Sequence, residues 1–225
     1  MTGAHPMEFP FYYACLTGVM LAWVGFALAF VVFRPKTPPA AATPATPATP
    51  ATPATPAPAA APVPRTRDRR SLYGILLQSI GYFLMWMSFR PPFPTLSLVP
   101  GPLALVLALF AVLLAWASSL FALWAQRTLG REWSFEARLV EGHRLVTAGP
   151  YAIVRHPIYS AMFGLWLATG LAIARPWGLV LGMLPMMLGT WVRVKLEDSL
   201  LRGAFGESFE AWAKRVPAVV PGLKV

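Results

Sequence analysis

Cysteine is almost absent. Cys15 stands alone, so the chain can form no internal disulfide and no CxxC metal or redox site. Histidine is scarce too: His5, His143 and His156 show no HExxH or comparable ligand spacing, and no metal site is expected. Charge is thin, at 12% of residues, about half of what an ordinary soluble domain carries. Acidic residues are the scarcer sign, 9 against 19 Lys plus Arg, which leaves a net charge of +10. In a soluble protein that balance would suggest nucleic acid. No basic patch here is interleaved with aromatics in a foldable soluble segment, so no nucleic-acid partner is expected.

What the chain has instead is apolar runs. Hydrophobic residues make up 56% of its 225 positions and the mean hydropathy is +0.56, which points to an integral membrane protein. Five stretches are near the roughly 20 residues a helix needs to cross about 30 Å of hydrocarbon. They cover residues 11–33, 71–89, 102–126, 158–174 and 177–194. Only Arg175 and Pro176 separate the last two, which predicts a tight antiparallel hairpin. The first run is expected to be a retained helix. Ala27-Leu28-Ala29 resembles a signal-peptide cleavage site, but no Lys or Arg precedes the run, and it is too long for a signal core. The expected fold is therefore all-α, a polytopic membrane bundle of about five transmembrane helices.

Residues 34–70 break this pattern. A Thr-Pro-Ala triplet repeats there, and proline both denies helix hydrogen bonds and pre-sets polyproline II angles. The reading is a disordered, semi-extended linker, with a proline-recognition module as an alternative use for it. It divides an N-terminal unit, residues 1–33, from a core at 71–225. Arg34, Lys36, Arg65, Arg67, Arg69 and Arg70 flank it, while no Lys or Arg precedes the first run. By the positive-inside rule the linker is cytoplasmic and the N-terminus outside. Counting spans onward puts residues 127–157 and the tail after Val194 on the cytoplasmic side too.

Three segments on that side could carry chemistry. The first is EGHRLVTAGPYAIVRHPIY, residues 141–159. Gly149-Pro150 is a turn signal, His156 is pushed toward extended geometry by the proline after it, and Pro157 suits the first position of a helix. A helix N-terminus there would offer N–H groups to an anionic ligand group. Taken singly, Arg155 or Tyr159 reads equally as an interfacial anchor. The second is TWVRVKLEDSLL, residues 190–201, where Arg193 and Glu197 share a helix face; a salt bridge and a ligand site are both open. The third is FGESFEAWAKRVPAVVP, residues 205–221, an amphipathic helix stopped before Pro217. Its apolar face is expected both to close over the bundle and to touch the membrane.

In order, these segments resemble the isoprenylcysteine carboxyl methyltransferase family, part of a wider group that includes the phospholipid methyltransferases. The carrying residues are His143-Arg144-Leu145-Val146, Gly149-Pro150-Tyr151, Arg155-His156-Pro157-Ile158-Tyr159, Arg193, Glu197-Asp198, Phe205-Gly206-Glu207 and Arg215-Val216-Pro217. The resemblance implies S-adenosylmethionine as cofactor, bound within residues 136–217 at the cytoplasmic ends of the last helices. It places His143, Arg144, Leu145, Val146, Tyr151, His156, Pro157, Ile158 and Tyr159 around the cofactor. Glu197 would hold a polar group of the cofactor, and Arg193 would position the acceptor. The acceptor is expected to be a lipid or hydrophobic small molecule, methylated on a carboxylate, amine or thiol. The chain departs from the family in a shorter acidic run and in Phe209 and Trp212, where tyrosines are common. It also has Glu136 where an amide is usual. Two other readings remain: a membrane NADPH-dependent reductase of related helical fold, and a non-catalytic scaffold tethering partners through the linker.

Overall fold

The computed structural model describes residues 8–32, 69–88, 101–130 and 145–223. His143, Arg144, Glu136 and nearly all of the Thr-Pro-Ala linker lie outside the described residues. Among these residues six helices follow in order: α1 (Glu8–Val32), α2 (Ser71–Met87), α3 (Gly101–Leu129), α4 (Pro157–Ile173), α5 (Pro176–Phe205) and α6 (Glu207–Ala213). A short 3-10 turn at Gly149–Ala152 precedes α4. The described residues contain no strand, and the protein is an all-α membrane bundle. Among the described residues three helices are long and apolar enough to cross a membrane, at residues 11–31, 102–129 and 176–205. α2 and α4, at 17 residues each, reach about 26 Å.

Prolines set two helix starts. Pro157 and Pro176 open α4 and α5, where a missing N–H leaves no hydrogen bond unmade. α5 runs eleven residues past the apolar stretch read from sequence, because Lys195–Phe205 remain good helix formers beyond the hydrocarbon. It stops at Gly206, whose φ of +48° lies in the left-handed region.

The interior is built from small residues and the outside from large ones. Along α3, Ala104, Ala108, Ala111, Ala115, Ala122 and Ala125 are buried, while Leu105, Leu109, Phe110, Leu113 and Leu120 face outward. That is the pattern expected when lipid replaces water. Hydrophobicity no longer sorts residues, and close backbone approach does. The tightest case is the seam between α2 and α5. A Cβ added to Gly81 would stand 2.8 Å from the Gly182 carbonyl oxygen, and one on Gly189 would stand 2.6 Å from that of Gly74. Gln78 Nε2 donates to Thr190 Oγ1 (3.0 Å) along the same seam. The pairs Ser88–Gly178, Gly81–Gly182 and Gly74–Gly189 make these helices antiparallel.

α4 is the buried centre of the other half, with Leu165, Trp166, Thr169 and Ala172 fully enclosed. It packs on α3 through Gly164 and Ser118, and on α1 through a Trp23 Nε1–Thr169 Oγ1 hydrogen bond of 2.8 Å. α1 and α3 run parallel, with Gly18 against Val112 and Ser119 Oγ donating to the Ala22 carbonyl at 2.7 Å. The tight turn between α4 and α5 is present at Ala174-Arg175. The two helices then run antiparallel, meeting at Gly170–Leu179, Trp166–Gly182 and Tyr159–Arg193. Their closest backbone neighbours, however, are α3 for α4 and α2 for α5. These contacts gather the end of α1, the start of α2, the end of α3, the start of α4 and the last third of α5 at one face.

Candidate functional site

That shared face holds the charged residues. The 3-10 turn brings Tyr151 down onto the end of α3, where it is buried with Ala125, Phe209, Trp212 and Val216. Leu145, Val146 and Ile158 pack against the same cluster. Gly149 adopts a φ of +60°, and a Cβ there would stand 3.1 Å from Thr128 Oγ1, so glycine suits both the turn and its closeness to α3. Trp212 Nε1 donates to the Tyr151 carbonyl at 3.1 Å, which locks α6 over the turn. Burial raises the Tyr151 phenol above its ordinary range, with the nearby negative charge of Glu197 adding to the effect.

The chain then passes into the start of α4, where Arg155 and His156 are both buried. Their backbone N–H groups donate to the carbonyls of Pro217 (2.8 Å) and Ala218 (2.9 Å), so the segment after α6 forms a strap across this loop. The Arg155 guanidinium continues the same strap, with Nη1 donating to the Val216 carbonyl at 2.7 Å and to that of Ala213 at 3.1 Å. Its Nη2 donates to Asp198 Oδ2 at 2.9 Å. Arg155 is therefore an internal clamp and not an interfacial anchor.

Asp198 is the residue whose weight sequence alone does not show. One carboxylate oxygen takes Arg155, and the other meets His156 Nε2 at 2.8 Å. Glu197, one residue earlier, lies with Oε2 3.4 Å from His156 Nδ1, and its Oε1 accepts a hydrogen bond from the Tyr159 hydroxyl. Burial alone would push the His156 pKa down. Hydrogen bonds to Asp198 and Glu197, together with their charges, outweigh it and hold the pKa at about 9. His156 is thus an imidazolium at neutral pH, set between two carboxylates and stacked on Tyr159 with ring centroids 5.7 Å apart.

Arg193 completes the group. Its Nε donates to the Tyr159 hydroxyl at 2.7 Å, and the guanidinium carbon lies 5.1 Å from the centre of the Tyr159 ring. The i,i+4 distance from Arg193 Nη2 to Glu197 Oε1 is 3.7 Å, so the pair is held chiefly through the tyrosine between them and not as a simple salt bridge.

The structure thus brings Leu145, Val146, Tyr151 and Ile158 into an apolar platform, and His156, Tyr159, Arg193 and Glu197 into a polar cluster beside it. Pro157 is buried between the two. Two expectations need correction. The helix N-terminus has little left to offer a ligand: Pro157 has no N–H, and those of Tyr159 and Ser160 already donate to the His156 carbonyl. The C-terminal helix does not present its apolar face to the membrane as well as to the bundle. Phe209 and Trp212 are both buried under the strap, and the outward positions are Glu207, Ser208 and Ala211. Among the described residues no group of three or more His, Cys, Asp or Glu side chains is placed to hold a metal ion.

Residues 106–208 match the family model described as phospholipid methyltransferase. Over this stretch the chain is similar to phospholipid methyltransferases and, through curated relatives, to isoprenylcysteine methyltransferases. Among similar curated proteins, Protein-S-isoprenylcysteine O-methyltransferase B of Arabidopsis thaliana is 33% identical over 97 residues, covering 42% of this chain and 49% of that protein. The Protein-S-isoprenylcysteine O-methyltransferase of Schizosaccharomyces pombe is 35% identical over 79 residues, 35% of this chain and 34% of its own. The cobalt-zinc-cadmium resistance protein CzcN of Cupriavidus metallidurans is 33% identical over 134 residues, 56% of this chain and 52% of its own. The chain therefore spans about half the length, or less, of the curated relatives it matches.

Proposed function

We propose that this chain is a membrane-embedded, S-adenosylmethionine-dependent methyltransferase whose acceptor is carried on a lipid or another hydrophobic molecule. The observation that carries this reading is the division of labour between two adjacent carboxylates. Asp198, with its side chain 9% exposed, is fully engaged by Arg155 and His156. Glu197, at 26%, is oriented by Tyr159 and His156 yet still opens outward beside the Tyr151 platform. A fixed, part-exposed carboxylate at the junction of aromatic and cationic surfaces suits a ligand that is itself mixed in character.

The residues fit S-adenosylmethionine by their chemistry. Tyr151, Leu145, Val146 and Ile158 supply an apolar and aromatic surface for the adenine, and the tyrosine faces suit the sulfonium. Glu197 suits its ammonium or ribose hydroxyls. When bound, the cofactor supplies an electrophilic methyl group for a single in-line displacement. The protein's part is alignment and exclusion of water. α6 and the strap over Tyr151 exclude water, and Tyr159 holds Arg193 in one direction. A guanidinium so fixed can hold an anionic acceptor bidentately, which favours a carboxylate among the acceptor classes. A carboxylate has no proton to lose, so the cluster needs no general base. The names of the Arabidopsis and Schizosaccharomyces relatives, O-methyltransferases of isoprenylcysteine, agree with that preference. By its charge distribution the site faces the cytoplasm.

Calorimetry on the detergent-solubilised full chain tests this. S-adenosylmethionine should bind, NADPH should not, and Glu197→Gln should weaken binding by at least about tenfold, the scale of one charge-assisted contact. Absence of binding to the wild type would sink the proposal.

A further inference from the structure

α2 lies outside the matched residues 106–208, yet its first turns border the charged cluster. Ser71, Gly74, Gln78 and Gly81 form one buried stripe facing α5. The antiparallel pairs Gly81–Gly182 and Gly74–Gly189 set the register. Continued by one turn, it places Ser71 beside the part of α5 that carries Arg193 and Glu197. Two observations mark this corner. The first is space. A Cβ on Gly74 would overlap Arg193 Cγ and stand 3.3 Å from its Cδ. The arginine stem therefore crosses α2 through the gap left by the missing side chain, and only then reaches Tyr159. The second is an unanswered polar atom. Ser71 is 1% exposed and its Oγ has no hydrogen-bond partner. Buried hydroxyls deeper in helices bond back one turn, as Thr169 does to Leu165 and Thr190 to Met186. Ser71 is the first residue of α2, so it has no helical carbonyl behind it.

We propose that the start of α2 is the acceptor-side wall of the site. Gly74 is a positioning residue that sets the path of Arg193, and Ser71 Oγ is a ligand contact that donates to the same anionic group, a carboxylate, that Arg193 holds. The proposal rests on the methyltransferase reading for the role of Arg193. It adds a binding surface that the last third of the chain does not contain.

The test compares Ser71→Ala, Gly74→Ala and Gly81→Ala in the full chain. The probes are an S-farnesylated cysteine with a free carboxylate and the methyl ester of the same compound. Gly81→Ala strains the same seam, where a Cβ would meet the Gly182 carbonyl oxygen and Met186, with no contact to Arg193. The free acid should stabilise the wild type against heat, and the ester should do so less. Ser71→Ala should leave the unliganded melting temperature unchanged or higher, because it removes an unpartnered buried hydroxyl, while the stabilisation by the free acid falls. In turnover, Ser71→Ala and Gly74→Ala should raise KM for the acid about tenfold, with cofactor affinity held within about twofold. Gly81→Ala should lower the melting temperature and leave KM alone. Three results would overturn the proposal: a lower unliganded melting temperature in Ser71→Ala, equal KM effects of Gly74→Ala and Gly81→Ala, or no difference between acid and ester. If the wild type binds the acid but transfers no methyl group, the activity reading fails, and the melting comparison still judges the wall.

Discussion

The seam between α2 and α5 and the rim where α5 meets the start of α4 lie a few turns apart on one helix, yet they are built from opposite materials. The seam is glycine against glycine, with backbone carbonyls where side chains would otherwise be and one amide–hydroxyl hydrogen bond. The rim is five charged side chains, Arg155, His156, Arg193, Glu197 and Asp198, wrapped around a tyrosine. In the seam, energy comes from closeness, because lipid leaves no hydrophobic drive between helices. In the rim it comes from mutual satisfaction of charges that burial would otherwise penalise heavily. The difference teaches where each kind of damage should register. A change in the seam should alter stability first, and a change in the rim should alter stability or binding according to which carboxylate it touches.

The sharpest way to break the rim is Asp198→Ala. It strands two buried cations, Arg155 and His156, and releases the strap that Arg155 ties to α6. Breaking a buried pair from one side costs about 3–5 kcal/mol, so the variant should be grossly less stable in thermal unfolding. Glu197→Gln, at a more exposed position, should cost much less stability while weakening cofactor binding. Equal stability losses in the two variants would erase the distinction drawn between the carboxylates.

pH separates rim from seam without mutation. The folded pKa of His156, about 9, lies above its ordinary value of 6.5. A raised pKa stabilises fully below pH 6.5, and the contribution fades as pH climbs through 9. A shift of this size corresponds to roughly 3 kcal/mol at most. The melting temperature should therefore fall between about pH 6.5 and 9, and His156→Gln should flatten that slope. Since the seam has no titrating group, Gly182→Ala should keep the wild-type slope at a uniformly lower melting temperature.

Much of this was readable from sequence, and the exceptions have physical reasons. Apolar runs disclosed five helices, of which three are long and apolar enough to cross a membrane, and the proline at 157 disclosed where one of the five begins. The motif residues Tyr151, His156, Tyr159, Arg193 and Glu197 fall on one face because alternating spans return their ends to one side. Asp198 was passed over because adjacent residues on a helix point about 100° apart, and only the structure shows that the loop wraps far enough to meet both directions. The α2–α5 seam was equally hidden. Glycines at 74, 81, 182 and 189 look unremarkable singly, and no local pattern says which two helices they join. The helix N-terminus offers less than the sequence suggests because the strap takes the His156 N–H, Pro157 has none, and the His156 carbonyl takes that of Tyr159.

Gly182→Ala itself measures the seam. The added methyl would sit 2.7 Å from the Gly81 carbonyl oxygen and 3.2 Å from the Trp166 ring, neither of which can move without shifting a helix. Overpacking of that kind costs about 1–3 kcal/mol. Because α5 carries Arg193 about three turns beyond this point, a rigid displacement of the helix would also change ligand affinity, whereas local strain would not. Cofactor affinity measured beside the melting temperature distinguishes the two, and local strain is the expected result.

The smallest effect should come from a residue that belongs to neither region. Gln126, on α3 near the same end of the bundle, is 2% exposed, and neither its amide nitrogen nor its amide oxygen has a partner. The amide of Gln78 in the seam and the two carboxylates of the rim find hydrogen-bond partners. Gln126 does not, and such a group carries a desolvation penalty of about 1–3 kcal/mol. Gln126→Leu, close in volume and without polar atoms, should therefore raise the melting temperature by an amount equivalent to about 1 kcal/mol. Cofactor binding should stay as it was. A loss of stability in this variant would mean that the amide is satisfied in the folded protein after all.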